Sequence, residues 1–265
     1  MDEDLQKIVL EESGNNLVFK TRDILKGLGW ETQISVFYND DTTNKPREID
    51  IIATKYFSPF KDSKESNFKA VLAIECKYIE KDFVFWTEEN NVADAQNSVI
   101  VSGFNLEEIL GFKEMKKMHH YFTSERIAKM FDSQEKEKGR RTQLVFDAIT
   151  QPLKSLIFIK NRHNNLENII YYPITVYDGK GGIYEISETN DLKHLDKLPK
   201  DNKNKIFGCH YSYINDSGCP ESHQFYVDFI RRSELKKLIE HIETNEIEPI
   251  KEYLSNKHQE FKTQH

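Results

Sequence analysis

The chain has 265 residues, 38% of them hydrophobic and 12% aromatic, which is enough apolar side chain for a core and too much for wholesale disorder. A formal net charge of −7 argues against generic polyanion binding, and no run of about 18 apolar residues exists to span a membrane. Three cysteines, Cys76, Cys209 and Cys219, are too few for a disulfide framework, and the acidic start Asp2-Glu3-Asp4 is unlike a secretory signal, so a reduced, cytoplasmic protein is expected.

Residues 4–28 read as helix in two pieces, broken at Gly14, with Leu17, Thr21, Ile24, Leu25 and Leu28 at helical spacing and Gly29 as the stop. Trp30 to Tyr38 reads as a strand, 39–45 as a turn, and Ile49–Ala53 as a buried strand. After a polar loop over 57–67, Ala70 to Tyr78 is a second, strongly apolar strand. Residues 88–112 and 104–131 suggest helix. A dense basic stretch, Lys136 to Arg141, follows. Strand signals then occupy 144–149, 155–160, 168–177, 183–186, 205–214 and 224–230. A final helix starts near Ser233 with Leu235, Leu238, Ile239 and Ile242 as its apolar face, and the polar tail beyond about 255 is expected to fray.

The informative residues are Asp50 and Glu75-Cys76-Lys77. Strand alternation sends Glu75 and Lys77 to one face and Cys76 to the other. If the two strands pair, Asp50 and Glu75 converge. Charged side chains inside otherwise aliphatic strands are destabilising unless paired or bound to a metal. A hard divalent cation such as Mg²⁺ relieves the repulsion of two carboxylates, and a neighbouring lysine can hold a water. Those parts suffice for phosphodiester hydrolysis.

Asp50, 24 intervening residues and Glu75-x-Lys77 resemble the PD-(D/E)xK, or restriction-endonuclease-like, nuclease superfamily. The resemblance extends over roughly 14–80: the helix ending Leu28-Gly29-Trp30, the segment Arg47–Ala53 and the segment Val71–Lys77 are similar to the helix and catalytic hairpin of that group. It implies that Asp50 and Glu75 bind Mg²⁺, for which Mn²⁺ would substitute, that the Cys76 backbone carbonyl is a further ligand, and that Lys77 is the catalytic lysine. The sequence departs from the pattern in having Ile49 where the name has proline. It also lacks a first-helix glutamate within Asn16–Phe19, where Glu11 or Glu12 would have to serve.

Around this constellation, Glu48 is a candidate outer acid or an exposed strand-start residue. Tyr38 approaches from the neighbouring strand or simply edges the core. Gln96 follows Lys77 at a spacing some superfamily members use for a substrate-contacting glutamine. Lys136, Lys138, Arg140 and Arg141 suit a flexible arm over a phosphate backbone, or a solvated loop. Cys209-His210, Cys219 and His223 lack the paired knuckle of a zinc site and read as ordinary strand and loop residues. His119 and His120 read as structural, one facing in and one out.

The expected fold is α/β, a mixed central sheet flanked by helices with a restriction-endonuclease-like core and a C-terminal α+β extension. The core spans 1–131, a basic linker or surface arm 132–143, and an α+β region of open role 144–265, which either continues the core sheet or forms a second layer. The expected function is a Mg²⁺-dependent endonuclease of restriction or anti-phage defence type acting on DNA, with RNA left open, working as a homodimer or with a defence-system partner subunit and without a membrane. The alternative is a catalytically silent nuclease-fold subunit that binds nucleic acid or protein.

Overall fold

The computed structural model of the chain describes residues 13–40, 43–58, 68–101, 117, 119–133, 140–162, 169–187, 205–214 and 218–263. Helix α1 (Gly14–Gly27) starts where the Ser13 hydroxyl accepts the Asn16 N–H at 3.1 Å. It ends at Gly29, whose φ of +80° suits glycine. Its buried face is Leu17, Val18, Thr21 and Leu25. Strands β1 (Glu31–Asp40), β2 (Lys45–Phe57) and β3 (Phe68–Tyr78) follow as an antiparallel meander. Then come β4 (Phe83–Glu89), α2 (Val92–Val101), the single turn α3 (His120–Thr123) and β5 (Arg126–Ser133). Next are α4 (Arg140–Arg162), β6 (Ile169–Asp178), β7 (Ile183–Ser187), β8 (Lys205–Ile214) and β9 (Pro220–Arg231). The C-terminus is α5 (Arg232–His241), a wide π-type turn (Ile242–Ile247) and α6 (Glu248–Thr263).

The strands described form one mixed sheet in the order β1-β2-β3-β6-β9-β8-β5-β4-β7. β3, β6 and β9 are parallel and central, and β3 and β6 are buried along nearly their whole length, as parallel strands covered on both faces should be. One face is covered by α1, α2 and α5, against Leu72, Ile74, Tyr172 and Ile174. α4 lies on the other, against Val71, Ala73 and Tyr171. The strands from 169 to 231 therefore extend the sheet that 31–78 begins.

Two adjacent arches tie the halves together. β3 passes into β4 through 79–82, and β6 into β7 through 179–182; each strand of one is parallel to its counterpart in the other. The connecting loops are hydrogen bonded too, Ile79 N–H to Asp178 O at 2.7 Å and Gly181 N–H to Ile79 O at 3.0 Å. At Gly179, with φ +119°, a Cβ would lie 2.2 Å from the Ile79 carbonyl oxygen, so no side chain fits.

Several sequence expectations change. The windows 144–149 and 155–160, expected as strands, are one helix. Val145, Ala148, Ile149, Leu153, Leu156 and Ile157 are all buried and recur at i, i+3 and i+4 across both windows. Pro152 inside α4 leaves the Ala148 carbonyl without its helical donor, and the Thr175 hydroxyl of β6 supplies one at 2.6 Å. The helix expected up to 131 gives way to strand β5. The tail expected to fray stays helical to Thr263. β4, an aromatic and β-branched run, goes unmentioned in the sequence reading. No helix among the described residues is long and apolar enough to cross a membrane.

Candidate active site

Two strand ladders open at one place. β1 and β2 pair Ile34 with Ile51 and Val36 with Ile49, skipping Ser35, at φ +55°, and Asp50. β2 and β3 pair as far as Ile51 with Ile74 and then stop. There the Asp50 carboxylate replaces the ladder: its Oδ2 accepts the Cys76 N–H at 2.7 Å. A strand residue turns its N–H and C=O to the same neighbour, so the Cys76 carbonyl faces this opening as well.

Strand alternation places Glu75 and Lys77 on the α4 face. Cys76 goes to the α1 face, its Sγ 3.7 Å from the Thr21 hydroxyl. Lys77 Nζ donates to Glu75 Oε1 at 2.5 Å. Glu75 is 3% exposed, and its Oε2 is buried with no hydrogen-bond partner among the described residues. Burial, reinforced by Asp50, pushes the Glu75 carboxyl up to about 8 despite the lysine. Burial also raises Asp50, against the pull of the Cys76 N–H and Lys77. Burial alone would lower the Lys77 ammonium, but the Glu75 contact outweighs it and the net shift is upward. The site thus holds two acids that resist ionising together, and one buried oxygen that lacks a donor.

The accessory candidates divide. Glu48 is exposed, and its charge adds to the upward pressure on Asp50. Tyr38 is buried on β1, and its hydroxyl has no hydrogen-bond partner among the described residues. Burial, then the charges of Asp40 and Glu75, holds its proton on. Gln96 is not brought to the carboxylates: its helix, α2, packs Ala95 and Val99 into the core on the other face of the sheet. The chain leaves β3 through β4 rather than returning over Lys77. Glu12, Lys136 and Lys138 lie outside the described residues. Arg140 and Arg141 open α4, and farther along that helix the Asp147 charge acts on Lys77. Cys209 packs inward on β8, while His210 Nε2 sits 2.6 Å from the Ser222 hydroxyl on the other side and Cys219 is exposed. They do not converge.

A second charged cluster lies on the α1 and α5 face. His119 and His120 do not diverge as expected: their rings stack, 4.9 Å apart and 12° from parallel. His120 Nδ1 is 2.6 Å from Glu246 Oε1, and its Nε2 is 3.0 Å from Asp228 Oδ2. Glu246 Oε2 accepts from the Tyr172 hydroxyl at 2.9 Å, and Oε1 accepts the His120 backbone N–H at 3.0 Å. Burial would push Glu246 up, but the two histidines and these donors hold it down at about 2. Burial likewise works against the His120 imidazolium, yet the two carboxylates raise it to about 10. By donor type and spacing, His119, His120 and Glu246 can hold a metal ion. The signal that marks Glu75 was present for Asp228 too, an acid inside the apolar run Phe225–Ile230, but the sequence reading passed over it. Glu246 continues the stripe of Ile239 and Ile242 at helical spacing.

No protein-family model, curated protein or solved structure matches the chain.

Proposed function

We propose that the chain is a Mg²⁺-dependent nuclease that hydrolyses DNA phosphodiester bonds, of the restriction or anti-phage defence type. One observation carries the reading. The ladder opens at the point where Asp50, Glu75, Lys77 and the Cys76 carbonyl meet, and it leaves a buried Glu75 oxygen without a hydrogen-bond partner among the described residues. Hydrogen-bonding potential is rarely left unused in a buried site without a reason.

Asp50, Glu75 and the Cys76 carbonyl offer the all-oxygen donor set that Mg²⁺ prefers and Mn²⁺ accepts. A bound divalent ion would polarise the phosphate and acidify the attacking water. Asp50, held by the Cys76 N–H, is already oriented. Glu75 would have to lose its proton to bind such a cation. Lys77, relieved of its pairing with Glu75, keeps its ammonium at the same spot, where it can donate to the water or to a phosphate oxygen. Arg140 and Arg141, which belong to the basic stretch of the sequence, are the candidates for contact with the nucleic-acid backbone.

The second reading, a silent nuclease-fold subunit, is favoured by the closed Lys77–Glu75 pair, which satisfies the lysine without substrate. The test is cleavage of plasmid, linear duplex, single-stranded DNA and RNA in Mg²⁺ and Mn²⁺, comparing wild type with Asp50→Ala and Lys77→Ala. Metal-dependent cutting lost in both variants is the expected result. Folded wild type that cuts nothing would favour the silent subunit, and cutting that survives both substitutions would place the chemistry elsewhere.

A further inference from the structure

The histidine cluster is separated from the Asp50 site by the sheet, and its donor chemistry is different. We propose that His119, His120 and Glu246 bind a divalent transition-metal ion, zinc by ligand type, with Asp228 holding His120 in place. Two imidazoles and one carboxylate form a three-ligand set with a fourth position left for water, an arrangement zinc adopts readily and Mg²⁺ does not.

The geometry supports each role. The three donor atoms lie within 4.8 Å of one another. Asp228 grips His120 Nε2 through both oxygens, at 3.1 and 3.0 Å. This is the carboxylate–imidazole pairing that orients a metal-bound histidine and turns its other nitrogen to the ion. That nitrogen, Nδ1, faces Glu246 Oε1 at 2.6 Å across a shared proton, and an ion replacing that proton would open the pair to about 3.3 Å. His119 Nε2 lies 3.4 Å from Glu246 Oε2. This is longer than the usual N–H···O range but close to the roughly 3.3 Å that separates two ligands on one tetrahedral ion with bonds of about 2.0 Å. Glu246 is held from behind by the Tyr172 hydroxyl and by the backbone N–H of His120.

An independent observation points to the fourth position. His241 Nε2 is buried, has no hydrogen-bond partner among the described residues, and lies 3.7 Å from Glu246 Oε1. A water completing the ion's shell would meet it. The site also has a structural consequence. Its ligands come from the start of α3 and from the wide turn after α5, so one ion would fasten two distant segments of the chain, with β9 joined to them through Asp228 and His120. Ligation at His119 Nε2 puts that ring's proton on Nδ1, which now accepts the Tyr121 N–H at 3.2 Å. That long hydrogen bond is the contact that opens on loading.

The experiment uses the full chain, stripped of metal and titrated with Zn²⁺ against a chromophoric chelator, and in parallel with Co²⁺ followed by its visible spectrum. One ion per chain with sub-micromolar affinity is expected, together with a tetrahedral or five-coordinate cobalt spectrum. Glu246→Gln and His119→Gln should remove the binding. Asp228→Asn should weaken it roughly 10–100-fold, and Asp50→Ala should leave it intact. X-ray absorption on zinc-loaded wild type should find two imidazoles among nitrogen and oxygen ligands only, a readout that does not depend on how the variants fold. A folded wild type that binds no zinc would overturn the proposal, as would a sulfur ligand or unchanged affinity in Glu246→Gln.

Discussion

Glu75 and Glu246 are both almost fully buried acids, and they lie on opposite faces of one sheet, yet their carboxyls shift in opposite directions. Glu246 is held at about 2 because the two imidazoles and the His120 backbone N–H outweigh its burial. Glu75 is pushed to about 8 because burial and the Asp50 charge outweigh the lysine and the Asp50 backbone N–H, which pull it down. Burial is the same unfavourable contribution in both; the partners decide its sign. A buried acid that is over-satisfied serves to hold structure. A buried acid that is under-satisfied has capacity left for something the chain does not itself contain. The contrast separates an acid whose protein partners leave it hard to ionise from one whose partners hold it ionised, and a metal at the second would have to replace the proton on His120.

The contrast can be broken or sharpened by substitution. The largest effect expected is on chemistry: Asp50→Ala and Lys77→Ala should each lower the cleavage rate by about 10³-fold or more with little change in melting temperature, measured by single-turnover kinetics beside calorimetry. Next comes stability at the other acid. Glu246→Ala removes one of the two counter-charges of the buried His120 imidazolium and should cost about 3–5 kcal/mol in urea denaturation. Glu75→Gln should be close to neutral or stabilising without metal, and an equal loss in both variants would abolish the distinction drawn here.

The two acids should also give opposite pH slopes. Glu75 keeps its proton in the folded chain up to about 8 while the unfolded chain loses it near 4.5, so its contribution makes stability fall as pH rises across that window. Glu246, lowered to about 2, contributes stability that is present above about 4.5 and lost as pH falls toward 2. Denaturation midpoints from pH 5 to 8 should decline less steeply in Glu75→Gln than in wild type, and an identical slope would show that Glu75 ionises normally. Mg²⁺ affinity should rise over the same interval, since the cation displaces that proton. A smaller effect is expected at Thr175→Val, which leaves the Ala148 carbonyl beside Pro152 without its donor, at roughly 1–3 kcal/mol. The smallest is Tyr38→Phe, whose hydroxyl has no hydrogen-bond partner among the described residues, and which should move stability by less than about 1 kcal/mol.

The legible part of the sequence was the part where local pattern and tertiary environment agree. The aliphatic strand around Glu75 and the strand around Asp50 are readable because a charge inside such a run stands out. The alternation rule then places Lys77 beside Glu75 and Cys76 on the far face, as observed. α4 was misread because short windows rich in Ile, Val and Phe suit strand and helix equally; only their joint spacing across Pro152 distinguishes the two. The histidine cluster was illegible because its members stand at 119, 120, 228 and 246, and nothing local says that a single turn, a strand and a wide helical turn meet. Gln96 failed for the reverse reason: a spacing borrowed from resemblance assumes a chain path, and here the path after β3 runs into β4.

The paired arches bear on how this molecule comes into being. Glu75 sits opposite Thr175, so β3 gains its second neighbour only after about a hundred further residues have been made. Contacts so distant along the chain carry a large loop-closure entropy and slow folding. A nascent chain can form the β1–β3 meander early, but α4 and β6 arrive later. The opening at Asp50 is therefore complete on the β2 side about sixty residues of synthesis before α4 begins to roof it, and the site passes through a stage in which its acids are still open to solvent.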